Sequence, residues 1–77
     1  MSATQFRTFD VRPHLARGEE PFDLIRGRVD ALKAGEGVTI VAPFVPAPLI
    51  ELLKSEGFHS TMERRADGAW AVSFSRG

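Results

Sequence analysis

The stretch GVTIVAPFVPAP (residues 37–48) decides the fold of this 77-residue chain. Its first half is β-branched and apolar, which is typical of a buried strand flanked by parallel neighbours. Its prolines force a turn into a helix predicted over residues 47–56, and Gly57 stands where a left-handed cap is expected. The buried side of this helix is expected to hold Leu49, Leu52 and Leu53.

A second strand–helix pair precedes this stretch. Residues 6–11 are rich in Phe, Thr and Val and predict a strand, whereas residues 12–18 contain Pro13 and Gly18 and are interpreted as a loop. Pro21 suits the first turn of a helix, and Gly35 is a plausible stop signal. The predicted apolar stripe of this helix is Phe22, Ile25, Val29 and Leu32.

The C-terminal third predicts a hairpin. Over residues 58–64, Phe58, Ser60 and Met62 alternate with His59, Thr61 and Glu63. In the last strand, Trp70, Val72 and Phe74 alternate with Ala71, Ser73 and Ser75. Asp67-Gly68 between them is a strong signal for a two-residue turn.

The element order is therefore β-α-β-α-β-β. Right-handed crossovers that progress in one direction put both helices on the same face of the sheet. We expect an α/β (α+β) two-layer sandwich in one domain, residues 1–77 with its core at about 6–75, built on a four-stranded mixed sheet. The open face of the sheet is expected to turn mostly to solvent and to carry Thr39, Val41, His59, Thr61, Ala71 and Ser73.

Composition excludes several classes of function. The chain has no cysteine, so disulfides, thiolate–zinc sites, iron–sulfur clusters and thiol chemistry are ruled out. Ten Lys and Arg balance ten Asp and Glu, which argues against a protein built mainly to bind nucleic acid or an anionic membrane. No stretch resembles a signal peptide or a membrane helix, so the expected location is the cytoplasm. No cofactor is expected.

The predicted topology places one candidate site. The carboxyl ends of two parallel strands and the starts of both helices meet at one edge of the sheet, where open α/β sheets commonly bind ligands. We expect no catalytic or metal-binding residues there. The candidate partner-binding residues are Arg12, His14, Glu19, Glu20, Pro21, Phe44 and Val45.

The same residues carry a resemblance to a known family. The strand Phe9-Asp10-Val11-Arg12, the helix start Gly18-Glu19-Glu20-Pro21, the run Pro43 to Leu49, the pair Gly57-Phe58 and Trp70 together resemble the TusA/SirA-like sulfur-carrier superfamily. The match is closer to its cysteine-less branch, a bacterial domain family of unknown function. The resemblance spans about residues 9–74 and implies a TusA/SirA-like fold.

The resemblance does not imply that this chain transfers sulfur. In the sulfur carriers a Cys-Pro pair begins the first helix and the cysteine holds a persulfide, whereas Glu20 stands before Pro21 here. Val45 is a second departure, because the cysteine-less branch more often has a polar or acidic residue at that position. The resemblance implies a non-catalytic interaction or regulatory module in bacterial redox or respiratory metabolism, with a protein partner such as the hemerythrin-like modules found beside or fused to relatives.

Several of the candidate residues have both a structural and a functional interpretation. Glu19 and Glu20 are either charges favoured at a helix start or a carboxylate pair for acid/base work, a cation or a small ligand. Arg12 pairs locally with Asp10 or holds a partner's carboxylate or phosphate. Phe44 either caps the core or belongs to an exposed contact patch.

Two further alternatives concern ligands and self-association. His14 and His59 could share a metal, although separate surface positions fit better with a chain that offers no clear ligand set. A basic patch for RNA would need Arg7, Arg64, Arg65 and Arg76 together, and a solvated charged turn is the preferred interpretation for the central pair. A homodimer through the open face of the sheet is a further alternative.

Overall fold

The computed structural model describes residues 4–76, so both ends of the predicted domain, residues 1–3 and 77, lie outside the described residues. Within these residues, four strands and three helices follow one another. They are β1 (Gln5–Asp10), α1 (Arg12–Ala16), α2 (Pro21–Asp30), β2 (Glu36–Ala42), α3 (Ala47–Ser55), β3 (Phe58–Arg64) and β4 (Trp70–Arg76).

The strands form one mixed sheet in the order β1-β2-β4-β3. β1 pairs with β2 in parallel, and β4 pairs antiparallel with both β2 and β3. The expectation that parallel neighbours flank β2 on both sides is wrong for one side. The reason is that β4 returns from its hairpin into the gap between β2 and β3, so β3 becomes an edge strand.

The core lies between the sheet and the two long helices. Ile25 and Val29 of α2 and Leu49 and Leu53 of α3 are buried in one cluster with the strands. The strand residues of this cluster are Phe9, Val38, Ile40, Ala42, Phe58, Val72 and Phe74. Both helices therefore cover the same face, which confirms the predicted two-layer α+β sandwich.

The prediction of a loop over residues 12–18 is wrong, because α1 occupies Arg12 to Ala16. Pro13 lies in the first turn of this helix, where its missing N–H costs nothing and its fixed φ favours helical geometry. The Leu15 N–H donates to the Val11 carbonyl at 2.9 Å. Proline thus starts a helix here instead of interrupting the chain.

The start of α2 at Pro21 is confirmed, but α2 ends at Asp30 and Gly35 does not cap it. Gly35 belongs to the next turn, in which the Glu36 N–H donates to the Lys33 carbonyl at 3.0 Å. Phe22, predicted for the buried stripe, is 43% exposed. Only Ile25 and Val29, in the middle of the stripe, are fully buried.

The second long helix and the hairpin are confirmed with two changes. α3 ends at Ser55 and Gly57 has the expected left-handed φ of 93°. Leu52, expected on its buried side, is 37% exposed. The hairpin loop spans residues 65–69 instead of two residues, because Gly68 N–H donates to the Arg65 carbonyl at 3.0 Å and Arg65 N–H donates to Ala69.

The open face of the sheet differs from expectation at Val41. The polar residues of the open face are partly or well exposed. The hydroxyl groups of Thr39 and Ser73 share a hydrogen bond of 2.8 Å. Val41 is only 1% exposed, since it lies between Asp10 and Ala71 in the sheet register at the end where an ion-pair network forms. Among residues 4–76, no helix is long and apolar enough to span a membrane.

Gly37 at the start of β2 is covered by an aromatic ring. A side-chain Cβ at this position would overlap the Phe6 ring and the Phe74 carbonyl oxygen. Gly27, by contrast, lies exposed in α2, and a Cβ there would meet nothing within 4 Å. An added methyl group is therefore expected to change the stability of the fold differently at Gly37 and at Gly27.

We predict that Gly37→Ala destabilises the fold by about 1–3 kcal/mol, because backbone and ring must both shift. Gly27→Ala is the matched control and should stabilise by about 0.5–1 kcal/mol, since alanine favours the helix. Urea unfolding of the two variants measures the difference. Equal stability of the Gly37→Ala variant and the wild type would contradict the described packing of Phe6 on β2.

Candidate functional site

The predicted edge of the sheet exists and gathers most of the candidate residues. The carboxyl ends of β1 and β2, the starts of α2 and α3, and the loop between β3 and β4 all lie at this edge. α1 lies there as well, directly after β1. The hairpin loop is an addition that sequence reasoning did not place at the site.

Arg12 is the centre of an ion-pair network at this edge. Its Nη2 and Nε donate to Asp10 at 2.8 and 3.0 Å, and its backbone N–H donates to the same carboxylate at 2.9 Å. Its Nη1 reaches Asp67 in the hairpin loop at 3.2 Å. Asp67 also accepts from the Ala69 N–H at 3.0 Å and from the Arg65 guanidinium at 3.3 Å.

The ion-pair network shifts the pKa values of Asp10, Asp67 and Arg12. The side-chain hydrogen bond from Arg12 holds the pKa of Asp10 below its ordinary value. The Ala69 N–H, followed by Arg12, lowers the pKa of Asp67. The same contacts raise the pKa of Arg12, most of all through Asp10. All three nitrogens of the guanidinium are therefore engaged within the chain, and Arg12 ties β1 to the hairpin.

A second cluster joins α1 to the segment before α2. Both Glu19 carboxylate oxygens lie 3.2 Å from His14 Nδ1, and Arg17 Nε donates to Glu19 at 2.8 Å. Arg17 Nη2 lies 3.0 Å from the same His14 nitrogen, so that nitrogen donates to Glu19 or accepts from Arg17, depending on its protonation. His14, followed by Arg17, lowers the pKa of Glu19.

Glu20 has a different task from Glu19. It is the N-cap of α2, and its carboxylate accepts a hydrogen bond from the Phe22 N–H at 3.3 Å. Pro21 follows at the first position of the helix, where it is half-buried. The two adjacent carboxylates thus serve separate partners, as expected for charges at a helix start.

Two phenylalanines give the edge an apolar component. Phe44, between β2 and α3, is 43% exposed and does not cap the core, while Val45 is half-buried. Phe22 in the first turn of α2 is equally exposed. Phe22 was not among the predicted site residues, because its spacing continues the predicted buried stripe of α2. Its position directly after Pro21 places it in the first turn of the helix, which is the signal that could have identified it.

Other candidate groupings are not brought together. His14 is in α1 at this edge, whereas His59 is near the start of β3. No group of three His, Asp or Glu side chains among residues 4–76 could hold a metal ion. Arg64 and Arg76 end two antiparallel strands, so they lie at opposite ends of the sheet and the four candidate arginines form no single patch.

The lowered carboxyl pKa values predict a loss of stability in acid. Each of Asp10, Asp67, Glu19 and Glu56 has a lower pKa in the folded chain than the ordinary 3.8 for Asp or 4.5 for Glu. Their contribution is therefore complete above those ordinary values and is lost as the pH falls through the lower, folded-state values. Urea unfolding between pH 7 and pH 2.5 should show stability falling from about pH 4.5 downward.

The double variant Asp10→Asn/Asp67→Asn should show a shallower decline in acid, because two of the linked protons are removed. Glu51→Gln is the control, since no ion pair of Glu51 occurs among residues 4–76. A decline equally steep in the double variant and the wild type would show that these ion pairs do not contribute to acid stability.

Comparison with known proteins identifies the family of this chain. No curated protein and no solved structure matches the chain. A family model described as "Uncharacterized conserved protein (DUF2249)" matches residues 8–76, from β1 through β4. Because this match spans both candidate clusters and all of the sheet except the first residues of β1, the chain belongs to the DUF2249 family of uncharacterized conserved proteins.

Proposed function

We propose that this chain is a non-catalytic interaction module that docks a protein partner through the edge where both long helices begin. We call this surface the docking edge and define it as Phe22 together with Arg12, His14, Glu19, Glu20, Pro21, Phe44 and Val45. The observation that carries the proposal is the exposure of Phe22 and Phe44 at this edge, 43% each.

The exposed rings favour a protein as the partner. Large aromatic side chains supply much of the binding energy when a protein interface buries them, and a polar rim around them excludes water. Here the rim is held in place by the Asp10–Arg12–Asp67 network and by the His14–Glu19–Arg17 cluster. A rim fixed in advance lowers the entropy lost on docking.

The engaged polar groups weigh against catalysis at the same edge. General acid/base work needs a group within hydrogen-bond reach of a substrate and with a pKa near the working pH. Glu19 is paired with His14 and Arg17, which lower its pKa, and Glu20 caps α2. The carboxylate-pair function proposed for Glu19 and Glu20 therefore has no geometric support beyond their adjacency.

The resemblance to the TusA/SirA-like superfamily supports a role in bacterial redox or respiratory metabolism. On that resemblance Glu20 occupies the position of the persulfide cysteine, so the docking edge corresponds to the surface that presents sulfur in the carriers. A module that keeps the scaffold without the thiol would act through binding or regulation. The proposed location is the cytoplasm, with a redox or hemerythrin-like protein as the partner class.

We predict that Phe44→Ser and Phe22→Ser each weaken partner binding about tenfold or more, because each removes an exposed ring from the interface. Their stability should change by less than about 1 kcal/mol, since both side chains are surface residues. The measurement is co-purification of a partner from cells, followed by titration of that purified partner. Met62→Ser is the matched control, as Met62 is 57% exposed but lies on edge strand β3.

Chemical-shift mapping with the purified partner provides the second measurement. Shifts at Arg12, Glu20 and Phe44 would support docking at this edge. Shifts confined to His59, Thr61 and Ser73 would contradict it and would favour binding through the open face. Loss of binding by Met62→Ser together with unchanged binding by Phe44→Ser would also contradict the proposal.

A further inference from the structure

A cleft of about 220 Å³ lies at the end of the sheet away from the docking edge. It is formed by the starts of β1 and β2 and the last turn of α2. Arg7 and Arg28 line it, together with Phe6, Leu32 and Val38. Nothing in the proposed function uses this cleft.

Among residues 4–76, the two arginines have no partner of opposite charge. Neither Arg7 nor Arg28 forms an ion pair within the part of the chain that the structure describes. Arg28 instead lies over the Phe9 ring of β1, 4.2 Å from its centroid. Glu36 also lines the cleft, and its carboxylate accepts a hydrogen bond from the Lys33 N–H at 2.8 Å.

The strand beside these arginines has an open edge. Within the part of the chain that the structure describes, β1 is the last strand on its side of the sheet and pairs only with β2, in unbroken register over residues 5–10. Gln5 N–H donates to Gly35 and Val11 N–H donates to Val41, both toward the β2 side. Because successive N–H groups of a strand alternate in direction, the N–H groups of Phe6 and Thr8 point away from the sheet.

We propose that β1 receives an extended acidic segment of a partner protein as a fifth strand. Backbone hydrogen bonds to Phe6 and Thr8 would hold the segment in place, and acidic side chains of the segment would meet Arg7 and Arg28. Arg7 and Phe9 are two residues apart and therefore lie on the same side of β1, the helix side. Because Arg28 lies over the Phe9 ring, the guanidinium groups of Arg7 and Arg28 border the same face of the added strand. This is strand addition, in which the backbone gives affinity and side chains give specificity.

Charge and backbone pairing select this occupant over two others. A second copy of the chain pairing edge to edge through β1 would bring the unpaired arginines of both copies to the same face, where like charges repel. A nucleic acid could meet the arginines but has no peptide backbone to pair as a strand with the open edge of β1. An acidic peptide segment provides both the opposite charge and the backbone pairing.

The test uses three ten-residue peptides, each acetylated and amidated. The first alternates valine with glutamate, the second alternates valine with lysine, and the third is the glutamate peptide with alternate backbone nitrogens methylated. Titration of the full chain should show binding of the first peptide only. Amide exchange of Phe6 and Thr8 should slow on binding, whereas that of Arg7, which already faces β2, should change little.

Arg7→Gln and Arg28→Gln should each weaken binding of the glutamate peptide about fivefold, the size expected for an exposed ion pair. Lys54→Gln is the control, because it removes the same charge from α3. Added salt should reduce the difference between variants and wild type. Phe44→Ser should bind the peptide normally, which separates this inference from the proposed function.

Several outcomes would overturn the inference. They are the absence of binding at millimolar peptide, equal binding of the lysine or methylated peptide, and slowed exchange that spares Phe6 and Thr8. Tighter, arginine-dependent binding of a single-stranded RNA would assign the cleft to nucleic acid. A wild-type dimer that dissociates when proline replaces Thr8 would assign the edge of β1 to a second copy.

Discussion

Burial of β2 on both faces of the sheet is the constraint on which the rest of this structure depends. On the helix side, Val38 and Ile40 lie under α2 and α3 in the main core. On the other side, Val41 is almost fully buried and Gly37 is covered by the Phe6 ring. A strand buried in this way must also be paired along both edges, since an unpaired buried backbone group is costly. β1 and β4 provide that pairing, which leaves β1 and β3 as the edges of the sheet.

This arrangement gives the two ends of the sheet different surfaces. At the carboxyl ends of β1 and β2, carboxylates and arginines are paired with one another and two phenylalanine rings are exposed. At the opposite end, Arg7 and Arg28 line a cleft without carboxylate partners among residues 4–76. The neutral net charge of the chain therefore does not show how the charges are grouped, because the Asp10–Arg12–Asp67 and His14–Glu19–Arg17 clusters are paired internally whereas the cleft holds two arginines without a carboxylate partner among residues 4–76.

The absence of cysteine has a sharper meaning once the structure is known. At the start of α2, Glu20 caps the helix by accepting a hydrogen bond from Phe22 N–H. A cysteine there would place its sulfur at the exposed helix start, where a thiolate is stabilised. The carboxylate instead supports the local fold, and the neighbouring polar groups are engaged in ion pairs. This is the surface through which we propose that a protein partner docks.

Short-range patterns determined most of the elements from the sequence alone. The alternation in β3 and β4, the proline at the start of α2, the apolar stripes and the glycine after α3 all act within a few residues. The same patterns wrongly predicted a loop where α1 lies, because Pro13 is compatible with both a loop and a first helical turn. They also misjudged Phe22, since a periodic stripe shows which side of a helix is apolar but not where the sheet beneath it ends.

By itself, the sequence determined the order of all elements except α1, the two-layer class, the edge at which the candidate residues gather and the exclusion of thiol chemistry. Only the tertiary structure decided the insertion of β4 between β2 and β3, the ion pair between Arg12 and Asp67, and the placement of Arg7 and Arg28 in one cleft. The physical reason is distance along the chain. Arg12 and Asp67 are 55 positions apart and meet only because β4 packs against β2, and no local pattern encodes that choice.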